Sequence, residues 1–123
     1  MLIESPVVRK LRALLEQDGT LPARVAARRL ALSTRSFQRA LQQAGTTYRH
    51  ETLAFRMRRS KALLVDENRT LAFIAKEVGF ASVQAFVMAF RSAVGVTPSA
   101  WRRREQEGAP PTEAPEDAAT IRT

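Results

Sequence analysis

At 123 residues the chain has the length of one domain, and its 45% hydrophobic content can bury a modest core. With no cysteine it has neither disulfides nor thiolate–zinc sites, and no apolar run approaches the roughly 20 residues that span a bilayer. The formal charge of +8 favours an anionic partner, and a cytoplasmic location is expected because Met1 is not followed by a signal-peptide pattern.

The elements are predicted to be helices throughout. Ser5-Pro6 is a cap and first-turn pair, and Val8, Leu11, Leu14 and Leu15 form an apolar stripe that ends near Asp18-Gly19. This helix is expected to be a scaffold. Pro22 opens the next helix, with Ala23, Ala26, Ala27 and Leu30 facing inward. After Ala31-Leu32-Ser33 comes a helix that buries Phe37, Ala40, Leu41 and Ala44 and stops at Gly45.

From Thr47 to about Asp66 no proline or glycine interrupts a wide stripe of Tyr48, Thr52, Phe55, Met57, Ser60, Leu63 and Leu64. Arg49, Arg56, Arg58, Arg59 and Lys61 stud the rest. At about 1.5 Å per residue such a helix holds its ends nearly 30 Å apart, close to the roughly 34 Å of one turn of B-DNA.

Leu71, Ile74, Ala75 and Val78 then make a short amphipathic helix, and Gly79-Phe80-Ala81 supplies a sharp turn. Ser82 caps a helix with Phe86, Ala89, Phe90 and Ala93 inward and Gly95 at its end; Thr97-Pro98 starts a last one. Helix, glycine turn, helix is the helix-turn-helix plan, whose second helix enters the DNA major groove.

The plan occurs twice. Ala26-Ala27, Leu30, Ala31 and Leu32 match Ile74-Ala75, Val78, Gly79 and Phe80 at an offset of 48, while Ser33, Phe37 and Leu41 match Ser82, Phe86 and Phe90 at 49. The second turn has gained one residue. Ala31 stands where the second copy has Gly79; a left-handed alanine costs on the order of 1 kcal/mol, so the first turn is expected to differ somewhat.

From Glu105 onward five acids face the single Arg122, which leaves residues 1–104 with 19 basic and 7 acidic side chains, or +12. Seventeen of the twenty basic residues are arginine, which suits bidentate contact with phosphate or guanine. Residues 108–123, with Gly108-Ala109-Pro110-Pro111, Pro115 and scattered acids, read as a disordered tail. The domain proper is expected over 1–107, with units at about 5–46 and 68–104 and the linker helix at about 47–66.

Ile74-Ala75, Val78-Gly79-Phe80, Ser82, Phe86, Phe90-Arg91, Gly95, Thr97-Pro98-Ser99 and Trp101-Arg102 resemble the signature of the AraC/XylS-type transcription regulators. The resemblance covers roughly Leu21 to Arg104. It implies an all-α fold of about seven helices, two helix-turn-helix units joined by a long linker helix, and a regulator that inserts two recognition helices into successive major grooves of an asymmetric site. It also implies that Arg35, Gln38 and Arg39 fall where the family reads bases, and that RNA polymerase is a partner.

The buried stripe of the first recognition helix leaves Thr34, Arg35, Ser36, Gln38, Arg39 and Gln42 outward. Arginine can fork onto guanine and glutamine can pair with adenine. The second helix departs from the family pattern: Val83, Gln84, Val87, Met88 and Arg91 are outward, and valine or methionine can only touch a thymine methyl. Base contact is assigned to Arg35, Ser36, Gln38, Arg39, Gln42, Val83, Gln84, Val87 and Met88. Phosphate contact is assigned to Ser33, Thr34, Thr46, Arg58, Arg59, Ser82, Arg91, Ser99 and Arg102, with Arg103 and Arg104 as further candidates. Trp101 and Tyr48 are expected in the core.

One histidine, His50, no glycine-rich phosphate loop and no clustered carboxylates speak against an enzyme, a metal site or a cofactor. The partner expected is double-stranded DNA, bound by a monomer, with no membrane association and no small-molecule pocket. Two other readings stand beside this one. The chain can be a helical protein-interaction module using the Val83/Val87/Met88 patch, or the DNA-binding half of a larger regulator, since it begins almost at the first helix.

Overall fold

The computed structural model describes residues 5–108, and the acidic tail expectation falls almost wholly on residues 109–123, outside that range. Among the described residues every regular element is helical: α1 Pro6–Gln17, α2 Ala23–Arg29, α3 Thr34–Gln43, α4 Tyr48–Leu64, α5 Leu71–Glu77, α6 Val83–Val94 and α7 Pro98–Gln106. This is the all-α, seven-helix architecture expected. The chain forms two compact units that divide after Arg59, within α4.

The caps explain where the helices start. The hydroxyls of Ser33, Thr70, Ser82 and Thr97 each accept the backbone N–H three residues on, at 3.0, 3.0, 3.0 and 3.2 Å. Pro6 and Pro98 sit in first turns, where their missing N–H is no loss.

In the first unit α3 packs on α1 and α2. Its core is Val8, Leu11 and Leu15 of α1, Ala26 and Ala27 of α2, Phe37 and Leu41 of α3, and Phe55 of α4. Tyr48 joins this core as expected: its ring meets Phe37 edge-on at 6.0 Å, and its hydroxyl donates to the Leu21 carbonyl. Gly19 is needed for close approach, because a Cβ there would lie 2.2 Å from Cε2 of the Phe55 ring.

In the second unit Leu64, Ile74, Ala75, Val78, Phe86, Phe90 and Pro98 are buried. Phe80, Phe86, Phe90 and the half-buried Trp101 form a chain of ring contacts at 5.7, 5.8 and 6.4 Å. Two helix-end alanines depart from expectation: Ala44 and Ala93 are exposed.

The single wide stripe expected on α4 is two sets of buried positions. Glu51 and Phe55 share one side; Met57, Ser60 and Leu64 share another, and the step from 55 to 57 rotates by about 200°. A buried glutamate was not foreseen. Its carboxylate, 5% exposed, accepts Arg12 Nε at 2.9 Å and the Thr46 hydroxyl at 2.7 Å. The Arg12 guanidinium, followed by the Thr46 hydroxyl, holds the carboxyl below the ordinary range against the opposing effect of burial.

Candidate nucleic-acid interface

The two turns that precede α3 and α6 share one hydrogen-bond pattern. At the first, Ala31 N–H donates to Arg28 O at 2.9 Å and Leu32 N–H to Ala27 O at 2.9 Å; at the second, Gly79 N–H donates to Lys76 O at 3.1 Å and Phe80 N–H to Ala75 O at 2.8 Å. This is the Schellman closure of a helix, which needs a left-handed residue. Ala31 adopts φ 61° and Gly79 φ 96°, and Ala31 is the one non-glycine residue at positive φ among those described. Alanine at this position therefore does not change how the helix closes, and the two turns differ by the extra Ala81 before the Ser82 cap. Alanine accepts the strained backbone because burying Ala26, Ala27 and Phe37 around the turn outweighs a local cost of about 1 kcal/mol.

With the turn and cap fixed, α3 buries Phe37 and Leu41 and exposes Thr34, Arg35, Ser36, Gln38, Arg39 and Gln42. These six side chains occupy one solvent face, with arginines, amides and hydroxyls in reach of a ligand. On α6 the same register buries Phe86 and Phe90. Gln84, Met88 and Arg91 are exposed, whereas Val83 and Val87, expected outward, are half-buried at the margin of the core.

The phosphate candidates divide into two groups. Thr34, Arg59, Arg91 and Ser99 are exposed and lie on or beside helix ends and α4. Ser33 and Ser82 use their oxygens to cap α3 and α6, yet each hydroxyl hydrogen remains available to a phosphate. The others have work within the fold. Thr46 donates to the buried Glu51. Arg58 pairs with Glu16 at 2.9 Å and lies 5.4 Å over the Phe55 ring.

Arg102 forks onto backbone carbonyls, donating from Nε to Leu64 O at 2.8 Å and from Nη2 to Arg69 O at 2.7 Å and Asp66 O at 3.2 Å. It satisfies the open carbonyl end of α4 and the loop that follows. That structural duty was invisible in the sequence.

Sequence reasoning also passed over Arg24, Arg28 and Arg29, all exposed on α2 immediately before the first turn. Their signal was available, since three arginines on one seven-residue helix are excessive for a packing role. Arg29 lies close enough to lower the Asp18 carboxyl further, after the Thr20 hydroxyl and N–H have done most of that. Among the described residues no group of three or more His, Asp or Glu is placed to hold a metal ion, and no helix is long and apolar enough to cross a membrane.

Comparison with known proteins agrees with this geometry. The family model described as a helix-turn-helix domain matches residues 26–104. The HTH-type transcriptional regulator GadX of Escherichia coli O157:H7 is 30% identical over 88 residues, covering 72% of this chain and 32% of that protein. The chain thus spans about a third of the length of the curated relatives it matches. Among solved structures, transcriptional regulator CdpR from Pseudomonas aeruginosa superposes with TM-score 0.75 at 31% identity, over 81% of this chain and 32% of that one. The C-terminal domain of AraT, a response regulator from Geobacillus stearothermophilus, gives TM-score 0.74 at 25% identity, over 95% and 98%. A DNA-binding transcriptional dual regulator from Escherichia coli K-12 shares the fold at TM-score 0.80 and 20% identity, over 87% and 98%. The doubled turn, the capped second helix of each unit and the family match over residues 26–104 make this chain a member of the AraC-type helix-turn-helix family.

Proposed function

We propose that this chain is the DNA-binding part of a transcription regulator and recognises a specific double-stranded sequence through α3 and α6. The observation that carries the reading is the outward face of α3. There Arg35, Gln38, Arg39 and Gln42 are exposed at the helix whose start is fixed by the left-handed turn and the Ser33 cap. Arginine and glutamine at these positions have the donors and acceptors that distinguish guanine and adenine in the major groove. Ser36 would add a hydroxyl contact to a base edge. Thr34, Arg59, Arg91 and Ser99, with the Ser33 and Ser82 hydroxyls, would hold phosphates and fix the register.

The chain would act as a monomer on an asymmetric site, in the cytoplasm and on the nucleoid, with RNA polymerase as its protein partner. Binding is not accompanied by catalysis in this reading.

The test is selection of bound sites from random duplexes, repeated with Arg39→Ala. A defined motif is expected, and the variant should lose affinity and relax base preference at one position of it. Binding that ignores sequence, or that prefers single strands, would refute the proposal.

A further inference from the structure

The two second helices share a cap, a turn and a buried aromatic register, yet present different chemistry. Displaced by 49 residues, Arg35, Gln38, Arg39 and Gln42 of α3 correspond to Gln84, Val87, Met88 and Arg91 of α6. Spacings of three and four put these on one helical face. Met88 is 72% exposed, the most exposed large hydrophobic side chain among the described residues. Phe73, another such side chain, is partly covered by the Arg69 guanidinium at 4.9 Å from the ring centroid.

The α6 face is thus apolar in its middle and polar at its ends, with Gln84 on one side and Arg91 on the other. A ligand matching it must offer an apolar group flanked by acceptors and negative charge. On the base edges of the major groove the apolar group is the C5-methyl of thymine; 5-methylcytosine carries a methyl at the same ring position, and cytosine has none.

We infer that α6 recognises pyrimidine C5-methyl groups through Met88 and Val87, with Gln84 and Arg91 anchoring the flanking base and phosphate. The inference rests on the DNA-binding reading proposed above. Methionine suits the task because its unbranched thioether can settle against a methyl from several directions. α3, built for hydrogen bonding, has no comparable dependence on a methyl.

The experiment uses the full chain and its selected duplex, with thymines replaced by deoxyuridine in one half-site at a time. Arg39→Ala identifies the half-site under α3 by relaxing preference there. In the other half-site, deoxyuridine should weaken binding by about fourfold for each methyl contacted, the equivalent of burying one such group. At the same positions 5-methylcytosine should bind better than cytosine. Met88→Ala should remove most of both methyl effects while helical content, read by circular dichroism, is unchanged, since this side chain is exposed.

Equal affinity for thymine and deoxyuridine would overturn the inference while leaving DNA binding standing, and would return the α6 face to another protein. Methyl sensitivity that persists in both Met88→Ala and Val87→Ala would overturn it as well. Failure to bind any duplex would overturn the functional proposal and this inference together.

Discussion

Ala31 and Gly79 occupy one conformation with different side chains, which makes the pair a controlled comparison. At φ 61° the Ala31 Cβ is crowded by its own backbone, whereas Gly79 at φ 96° has none. Ala31→Gly should stabilise the first unit by about 1 kcal/mol and Gly79→Ala should destabilise the second by a similar amount. Urea denaturation of both variants checks the sign. Gly19 is held for a different reason: Gly19→Ala drives a methyl into the buried Phe55 ring and should cost about 1–3 kcal/mol, read the same way.

Glu51 supplies a pH dependence at the same scale. Its folded-state carboxyl lies below the ordinary value of 4.5, mainly through Arg12, so the unfolded chain binds the proton more readily. The stability it contributes is therefore complete above pH 4.5 and is lost as pH falls through the lowered value. Glu51→Gln should flatten the acid side of the stability profile and leave its slope near neutral pH unchanged. Urea midpoints recorded as pH is lowered would show this; an unaltered acid limb would mean that the carboxylate is not coupled to folding.

Among the elements, the end of α4 depends on a residue from α7. Arg102 reaches three carbonyls that the helix and its following loop leave open, at 2.7–3.2 Å. A lysine has a single charged point in place of a fork and cannot serve all three. Arg102→Lys should lower the stability of the second unit by about 1–2 kcal/mol, and Arg102→Ala by more. The check is thermal unfolding beside DNA affinity measured well below the transition. If Arg102→Ala left the fold untouched and removed an equal share of DNA affinity, the residue would be a phosphate ligand instead. The helix starts were legible because each is written in a local signal. Ser82 and Thr97 each sit three residues before the N–H they receive, whereas the Thr70 cap of α5 came only with the structure. The α4 stripe was misjudged because Glu51, a charged residue, fills a position that apolar periodicity cannot reveal.

For the molecule as a whole the governing quantity is charge. Residues 1–104 carry 19 basic against 7 acidic side chains. If about six of the basic groups neutralise phosphates, the logarithm of affinity should fall with the logarithm of salt at a slope of roughly −5. Titrations at several salt concentrations measure this directly. Arg59→Ala should reduce the slope by about one at every sequence, whereas Arg39→Ala should also change which sequence is preferred. A flat response would remove the electrostatic basis of the proposed function.

The sequence by itself determined the helices, several of their caps, the duplication and the basic character. These depend on residues within a turn or two of each other, or on simple counts, so periodicity and capping chemistry suffice to find them. Only the tertiary structure decided how particular side chains are spent. Arg12 meets Glu51 across 39 positions, Arg102 meets Leu64 across 38, and Gly19 yields to Phe55 across the first unit's core. Nothing in the local pattern distinguishes these arginines from their solvent-exposed neighbours. The same holds for Ala31. Its own backbone preference opposes the left-handed turn, and the conformation is imposed by the hydrogen bond from Leu32 to Ala27 and the burial of Ala26 and Ala27, which together outweigh the strain of one residue.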